Sequence, residues 1–109
     1  MKLHSKIHGD KYQDLIVIHG LFGMSDNWNS LGKQFSKYYK VHLIDLRNHG
    51  KSPHAEDFNY DVMCQDVLEY MEDNNIQKPI LLGHSIGGKV AMKFAFTYPE
   101  KIEKLIVAD

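Results

Sequence analysis

The sequence has 109 residues, which allows at most one domain with a modest hydrophobic core. Its 43% of hydrophobic residues is ordinary for a globular protein, and its net charge of −1 gives no electrostatic reason to expect nucleic acid or an anionic membrane as a partner. The single cysteine excludes an internal disulfide bond. Because there is no secretory leader pattern and no apolar run of membrane-spanning length, we expect a cytoplasmic protein.

Short aliphatic strands alternate with amphipathic helices along the chain. Residues 2–8 alternate between polar and apolar types, which predicts an edge strand or a hairpin arm with one face in water. Strands buried on both faces are predicted at residues 15–18, 41–44 and 80–82. A fourth apolar run at residues 105–108 predicts a terminal strand that exposes an apolar sheet edge. Helices are predicted at residues 28–38, 60–71 and 86–98, with Asn59 as a candidate cap of the second. This order predicts a single α/β domain over residues 1–109, with a predominantly parallel sheet and helices on both faces.

Chemically distinctive residues follow the predicted strands at the edge where parallel sheets bind ligands. They are His-Gly-Leu-Phe-Gly at residues 19–23, Asp-Leu-Arg-Asn-His-Gly at residues 45–50, Gly-His-Ser-Ile-Gly-Gly at residues 83–88, and Asp109. Their convergence predicts a functional site at the carboxyl edge of the sheet. The seven histidines show no metal-ligand spacing, so we expect neither a metal nor a cofactor.

Ser85 lies between a predicted strand and a predicted helix, within Gly-x-Ser-x-Gly. This context is typical of a nucleophile elbow, a strained turn that lifts the serine hydroxyl above the sheet. Gly83 and Gly87 suit such a turn, because the strand and helix backbones pass close together. The amide of Ile86 lies at the positive end of the helix, so we expect it to bind a developing oxyanion.

Two phosphate-binding interpretations of these segments are disfavoured. A dinucleotide-binding loop needs a middle glycine for close approach of the backbone, and Ser85 occupies that position. The Gly-Lys-Ser of residues 50–52 resembles the end of a phosphate loop, but Asp45 stands where the leading glycine is required and Pro53 follows directly.

The loop at residues 19–23 supplies the other predicted contacts of a substrate. We expect the Leu21 amide to be the second oxyanion donor and Phe22 to line a substrate pocket. His19 is interpreted as structural. Nothing in the sequence directs His49 toward Ser85, and His84 is expected to point away from it because neighbouring side chains diverge.

Three charged residues lie at the same edge. Asp45 and Arg47 are interpreted mainly as a charge pair that fixes the loops. Asp109 is suitably placed to orient a catalytic histidine, and equally to cap a following helix.

Together, the segments at residues 19–23, 45–54 and 83–89 resemble the α/β-hydrolase superfamily. More narrowly, they resemble the small bacterial esterases related to the mitochondrial α/β-hydrolase domain-containing protein 11. Leu-Arg-Asn-His-Gly at residues 46–50 carries this narrower resemblance, because most of the superfamily has Arg-Gly-His-Gly there. The resemblance covers essentially the whole chain and implies the N-terminal half of an α/β-hydrolase fold.

The resemblance also implies a triad in the chain order serine, aspartate, histidine. Ser85 matches the nucleophile, and Asp109 matches the acid through its Lys-Leu-Ile-Val-Ala-Asp context at residues 104–109. The family histidine comes far beyond residue 109. The chain is therefore expected to be a partial domain that lacks the lid and the C-terminal half, and to be inactive without that half.

The implied activity is hydrolysis of short-chain carboxylic esters or thioesters through an acyl-enzyme on Ser85. The expected partners are a small-molecule ester and the C-terminal half of the same protein. An acyltransferase or a haloperoxidase on the same fold would share every residue quoted above. A non-catalytic module for ligand or protein binding is the remaining alternative, and the absent histidine favours it for this chain taken alone.

Overall fold

A sheet of five strands with helices on both faces makes up the part of the chain that the structure describes, residues 1–20 and 28–108, in a computed structural model. The strands are β1 (Ser5–His8), β2 (Asp14–Ile18), β3 (Lys40–Ile44), β4 (Ile80–His84) and β5 (Lys104–Ala108). The helices are α1 (Asn29–Phe35), α2 (Tyr60–Asp73) and α3 (Ile86–Thr97), followed by a 3₁₀ turn at Pro99–Lys101. The strand order is β1-β3-β2-β4-β5, with β1 antiparallel and the others parallel, so the predicted fold class is confirmed.

The aliphatic strands are buried on both faces because each face packs against helices. Along β2, Ile16 and Ile18 pack into a core shared with α2 and α3, whereas Leu15 and Val17 belong to a second core. That second core includes Phe35 at the end of α1. Successive side chains of a strand point to opposite faces, so a continuous apolar run is what a central strand of this fold requires.

The two edge strands differ from the central ones. The alternating segment at residues 2–8 forms β1, an edge strand whose Ile7 is 47% exposed. It pairs with β3 and not with β2, so the edge-strand alternative is correct and the hairpin arm is not. At the other edge, β5 leaves three apolar side chains between 38% and 45% exposed: Leu105, Ile106 and Val107.

The helix bounds follow local chemistry. The side chain of Asn59 accepts a hydrogen bond from the Val62 amide at 2.9 Å, which confirms the predicted cap of α2. Helix α3 ends just before Pro99, as predicted. Helix α1 ends at Phe35, earlier than the predicted residue 38, and the chain then turns, with the Tyr38 amide donating to the Phe35 carbonyl at 2.9 Å. The side chain of Tyr38 is 71% exposed.

Candidate active site

Ser85 occupies the sharp turn between β4 and α3. Its backbone angles are φ 57° and ψ −118°, a conformation that residues with a side chain rarely adopt. The Ser85 amide donates to the Ala108 carbonyl of β5 at 3.2 Å, and its carbonyl accepts from Lys89 one turn into α3 at 3.2 Å. The side chain is exposed. The turn therefore presents the hydroxyl outward at the carboxyl edge of the sheet, with its backbone tied to both neighbouring elements.

Glycines on both sides of Ser85 permit this turn. A Cβ at Gly83 would overlap the backbone of Gly87 and Gly88. A Cβ at Gly87 would overlap the carbonyl oxygens of Ile18 and His19, at the end of the neighbouring strand β2. The Gly-x-Ser-x-Gly spacing is thus a packing requirement of this strand–turn–helix unit, because any larger side chain would push the elements apart.

The amide of Ile86 is the first of α3, and it precedes the first intrahelical hydrogen bond, which Lys89 donates. Amides of a first turn have no acceptor within their own helix and lie at the positive end of the helix dipole. No hydrogen bond of the Ile86 amide is found within residues 1–20 and 28–108. The position is chemically suited to bind a negatively charged oxygen beside Ser85.

The segment after β2 comes directly against Ser85. A Cβ placed on Gly20 would lie 3.1 Å from the Ser85 Cβ and 2.9 Å from His84 Nδ1. The preceding His19 is 1% exposed, and it joins two strand ends. Its Nδ1 lies 2.7 Å from the Gly20 carbonyl oxygen, and its Nε2 lies 3.0 Å from the backbone nitrogen of Leu46, after β3. The loops after β2 and β3 are therefore linked beside the serine.

Three of the predicted site residues lie outside the described part of the chain: Leu21, Phe22 and Asp109. Their assignments as oxyanion donor, pocket residue and triad acid stay predictions. The described residues next to them, Gly20 and Ala108, both contact the Ser85 turn.

The predicted charge pair between Asp45 and Arg47 is wrong, because Arg47 pairs with a different carboxylate. Arg47 binds Asp66 of α2 through two hydrogen bonds, and it also donates to the Asp57 carbonyl at 2.8 Å. The Asp45 carboxylate instead accepts from the Lys51 amide at 3.0 Å. A Cβ at Gly50 would overlap that carboxylate, so the turn closes tightly around Asp45. Both charges brace the loop after β3, each through its own partner.

Asp66 is a residue of this framework that the sequence analysis did not identify. It is 2% exposed and lies on the buried face of α2, three residues after Met63 and four before Tyr70. A carboxylate at a core position of an amphipathic stripe is a signal for a buried cation partner. Nothing in the spacing identifies that partner as Arg47, nineteen residues earlier.

The two histidines that the sequence analysis weighed as a general base, His49 and His84, lie in other surroundings. His49 is buried, with Nδ1 2.9 Å from the Arg47 carbonyl oxygen and its ring stacked on Phe58. The His84 ring packs edge-on against Trp28 at 5.6 Å. Among the described residues, no hydrogen bond joins a histidine to the Ser85 hydroxyl. That neither histidine is the general base stays a prediction.

A cleft of about 420 Å³ opens beside Ser85. Apolar and cationic side chains line it together with the turn itself: Tyr60, Ile86, Lys89, Met92, Val107 and Ala108. Within the described ranges, no cluster of histidine, cysteine and carboxylate side chains could hold a metal ion, and no helix is long and apolar enough to cross a membrane.

A mainly parallel sheet in which an interior strand leads through a strained serine turn into a helix is the arrangement found in α/β hydrolases. The sequence pattern of the α/β hydrolase fold matches residues 15–109. The chain therefore belongs to the α/β hydrolase fold family.

Three similar proteins show which members of this family the chain resembles. It is 52% identical over 95 residues to a Haemophilus influenzae protein assigned as an esterase/lipase, covering 87% of this chain and 33% of that protein. It is 44% identical over 97 residues to the sn-1-specific diacylglycerol lipase ABHD11 of Danio rerio, covering 87% and 31%. The solved structure of a marine microorganism esterase superposes with a TM-score of 0.97 at 44% identity, covering 99% of this chain and 41% of that one. The predicted resemblance to bacterial esterases and ABHD11 is confirmed, and the chain spans about a third of the length of these curated relatives.

Proposed function

We propose that the chain is the nucleophile-bearing part of a serine esterase, and that Ser85 attacks the carbonyl carbon of a short-chain ester. The observation that carries this proposal is the backbone of Ser85, held at φ 57° and ψ −118° between β4 and α3. Such strain persists only where the surrounding structure enforces it, and it clusters at functional sites. Here it exposes a hydroxyl beside the first amide of α3, for which the described residues provide no acceptor.

The chemistry would follow the acyl-enzyme route. The Ser85 oxygen adds to the ester carbonyl, and the oxyanion is held by the amides of Ile86 and Leu21. The tetrahedral intermediate expels the alcohol and leaves an acyl group on Ser85, which water then removes. Two relatives support the ester class, since one is an esterase/lipase and the other a diacylglycerol lipase.

We further propose that a longer enzyme, here called the parent enzyme, supplies the general base. The chain spans about a third of its relatives, and its described residues offer the Ser85 hydroxyl no histidine partner. In the parent enzyme, Asp109 orients a histidine from the remaining part, and that histidine takes the serine proton. The 109-residue chain alone should then turn over no ester, since an unassisted serine hydroxyl is a poor nucleophile.

A fluorophosphonate probe and p-nitrophenyl esters of increasing acyl length test the proposal in the parent enzyme. We expect labelling at Ser85, shown by peptide mass analysis, and loss of both labelling and turnover in Ser85→Ala. The exposed serine Ser30, in α1, is the matched control, and Ser30→Ala should keep full activity. Turnover of p-nitrophenyl esters without labelling of Ser85 would overturn the assignment.

Hydrolysis and acyl transfer share the same acyl-enzyme, so the acceptor must be varied separately. Adding ethanol or a small thiol to the esterase assay should leave the free acid as the main product. A dominant ester or thioester product would make the protein an acyltransferase. The cytoplasmic location stays a prediction of the sequence.

A further inference from the structure

A cationic side chain lines the cleft beside Ser85. Lys89 is the fourth residue of α3, and its amide donates to the Ser85 carbonyl at 3.2 Å. One helical turn rises about 5.4 Å, so the lysine side chain starts one turn away from the proposed nucleophile. Both residues line the same cleft of about 420 Å³. A positive charge is therefore within reach of an ester bound at Ser85.

Lys89 differs in its partners from the other lysine of the same helix. Lys93 forms an ion pair with Asp61 at 3.1 Å. No ion pair of the Lys89 ammonium is found among residues 1–20 and 28–108, and the side chain is exposed. An ammonium group has three donors and no acceptor, so those of Lys89 are available to water or to a ligand.

The charges of α3 are not those that stabilise a helix. Its first turn has no acidic residue, and its last turn has no basic one. Carboxylates are favourable near the positive end of the helix dipole, and a lysine there is unfavourable. Lys89 thus adds positive charge to a helix end that already attracts anions. Helix stability gives no reason for this charge, whereas an anionic ligand does.

The remaining side chains of the cleft suit a short carbon chain. They are mostly apolar, with one phenolic hydroxyl: Tyr60, Ile86, Met92, Val107 and Ala108. Water surrounds a charge less completely in such a cleft than on an open surface, so an ion pair there is screened less. A substrate with a few methylene groups and one anionic group matches both the apolar lining and the ammonium.

We propose that Lys89 is a specificity-determining residue of the esterase site, which selects short esters that carry an anionic group such as a carboxylate. The inference rests on the proposed function and narrows its substrate class. The anionic group stands a few atoms from the scissile carbonyl, in the acyl part or in the alcohol part of the ester. Lys89 binds this group and takes no part in bond breaking, so it raises kcat/KM chiefly through a lower KM.

Pairs of esters that differ only in charge test the proposal in the parent enzyme. Monoethyl glutarate has a carboxylate in its acyl part, and ethyl glutaramate has a neutral amide of the same shape there. Carboxymethyl butyrate and carbamoylmethyl butyrate form the corresponding pair for the alcohol part. Titration of the released acid gives kcat/KM for each ester, and the pair that shows a preference identifies the part of the substrate that faces Lys89.

We expect the anionic ester of one pair to have a kcat/KM about 3- to 10-fold higher than that of its neutral counterpart. This range lies between an exposed ion pair and a hydrogen bond to a charged group. The ratio should fall toward 1 in about 0.5 M salt, because salt screens partly exposed charges. This measurement uses the unsubstituted enzyme and does not depend on the folding of a variant.

Substitutions in α3 connect the preference to one lysine. Lys89→Met should bring the ratio of kcat/KM values to about 1, and Lys89→Arg should retain the preference because the charge is kept. The matched control is Lys93→Met, since Lys93 lies in the same helix and is paired with Asp61 but is not among the residues that line the cleft. This control should keep the ratio of the unsubstituted enzyme.

A ratio near 1 for both ester pairs in the unsubstituted enzyme would overturn the inference. An anionic preference that survives Lys89→Met, or one that Lys93→Met abolishes equally, would overturn it as well. Failure of the parent enzyme to cleave any of these esters, together with no labelling of Ser85, would instead refute the proposed function. The two failures are distinguishable because only the first leaves an active enzyme.

Discussion

The guanidinium of Arg47 binds both carboxylate oxygens of Asp66, with Nε 2.6 Å from Oδ2 and Nη2 2.9 Å from Oδ1. Both side chains are buried, and the pair ties the loop after β3 to the middle of α2. The hydrogen bonds to Asp66 raise the pKa of Arg47 above its ordinary value, so the positive charge persists at any pH of an assay. This two-bond contact fixes the loop after β3. His49 of that loop packs its ring against His19.

Removing one partner of this pair should be more costly than removing both. Asp66→Leu alone leaves the buried Arg47 charge without its carboxylate, and Arg47→Met leaves Asp66 with only the N-terminal ammonium of Met1, 3.9 Å away. We expect losses of about 3–5 kcal/mol in the free energy of unfolding, the smaller one for Arg47→Met. The double substitution should recover much of that loss, because no buried charge remains. Urea denaturation of the parent enzyme measures the cycle.

The exposed pair Lys93–Asp61, at 3.1 Å, is the matched control for that cycle. Its coupling energy should stay within about 1 kcal/mol, as is usual for solvent-exposed ion pairs. Equal coupling in the two cycles would contradict a special role for the buried pair.

Gly87 should tolerate no side chain. The Cβ of Gly87→Ala would overlap carbonyl oxygens of Ile18 and His19, which are backbone atoms of a central strand and cannot move away cheaply. We expect a loss of about 3 kcal/mol or more in unfolding free energy, at the upper end of overpacking costs, and a large loss of esterase activity from the displaced Ser85 turn.

The next residue provides a control at the same helix end. A Cβ at Gly88 would lie 2.9 Å from Cγ1 of Val107, a side-chain atom on the exposed edge strand, and 3.3 Å from the Gly83 carbonyl oxygen, so its nearest backbone contact is much less tight than at Gly87. Alanine also favours a helix over glycine by about 1 kcal/mol, so Gly88→Ala should be close to neutral in urea denaturation. Similar losses for the two variants would contradict the close approach of α3 to β2.

The stability of the protein should fall in mild acid because of two buried histidines. Burial lowers the pKa of His19 and of His42 below the ordinary value of 6.5. Between the folded and unfolded pKa values the unfolded chain binds more protons, so stability is complete above pH 6.5 and decreases as the pH falls through the folded values. Each histidine can contribute a slope of up to about 1.4 kcal/mol per pH unit.

Denaturation between pH 7.5 and pH 5 checks this expectation. His42 is held between Asp14 and Tyr70 at 2.8 Å on each side, and His42→Gln should flatten part of the slope. His19→Asn should flatten another part, and the double variant the most. An unchanged slope in the double variant would assign the acid sensitivity to other groups.

Cys64 should be chemically inert in the folded protein. Its thiol is buried and lies 3.5 Å from the Val90 carbonyl oxygen, and burial raises its pKa to about 11. The reactive thiolate is therefore scarce at pH 8, and access is blocked as well. Iodoacetamide should modify Cys64 slowly in buffer and rapidly in denaturing urea. Fast modification of native protein would show that the contact between α2 and α3 opens readily.

The fold could be predicted from the sequence because its strands are short, aliphatic and closed by turn residues. The aliphatic residues 15–18 predict a strand buried on both faces, whichever strands lie beside it. For β1, in contrast, the sequence did not distinguish an edge strand from a hairpin arm, and the structure shows that it pairs with β3. Ser85 was recognisable because its glycine spacing reflects a local steric need.

Contacts between distant elements were beyond the reach of the sequence. The partner of Arg47 depends on where α2 packs across the sheet, and local spacing carries no information about that position. The end of α1 was misplaced because Tyr38 continues the apolar spacing while its side chain faces solvent. The hydrogen-bond partners of His19 are likewise two backbone groups that only the fold brings to its ring.

The strained backbone of Ser85 should lower the free energy of unfolding by a measurable amount. At φ 57°, the side chain of Ser85 is unfavourable by about 1–3 kcal/mol, and Ser85→Ala keeps that cost because alanine also has a Cβ. Ser85→Gly removes it, although glycine gives back part of the gain through the greater entropy of the unfolded chain. We expect Ser85→Gly to be more stable than Ser85→Ala by about 1 kcal/mol in urea denaturation, with neither variant cleaving esters. A lower stability for Ser85→Gly would mean that the turn is not strained, and the main structural support for Ser85 as the nucleophile would be lost.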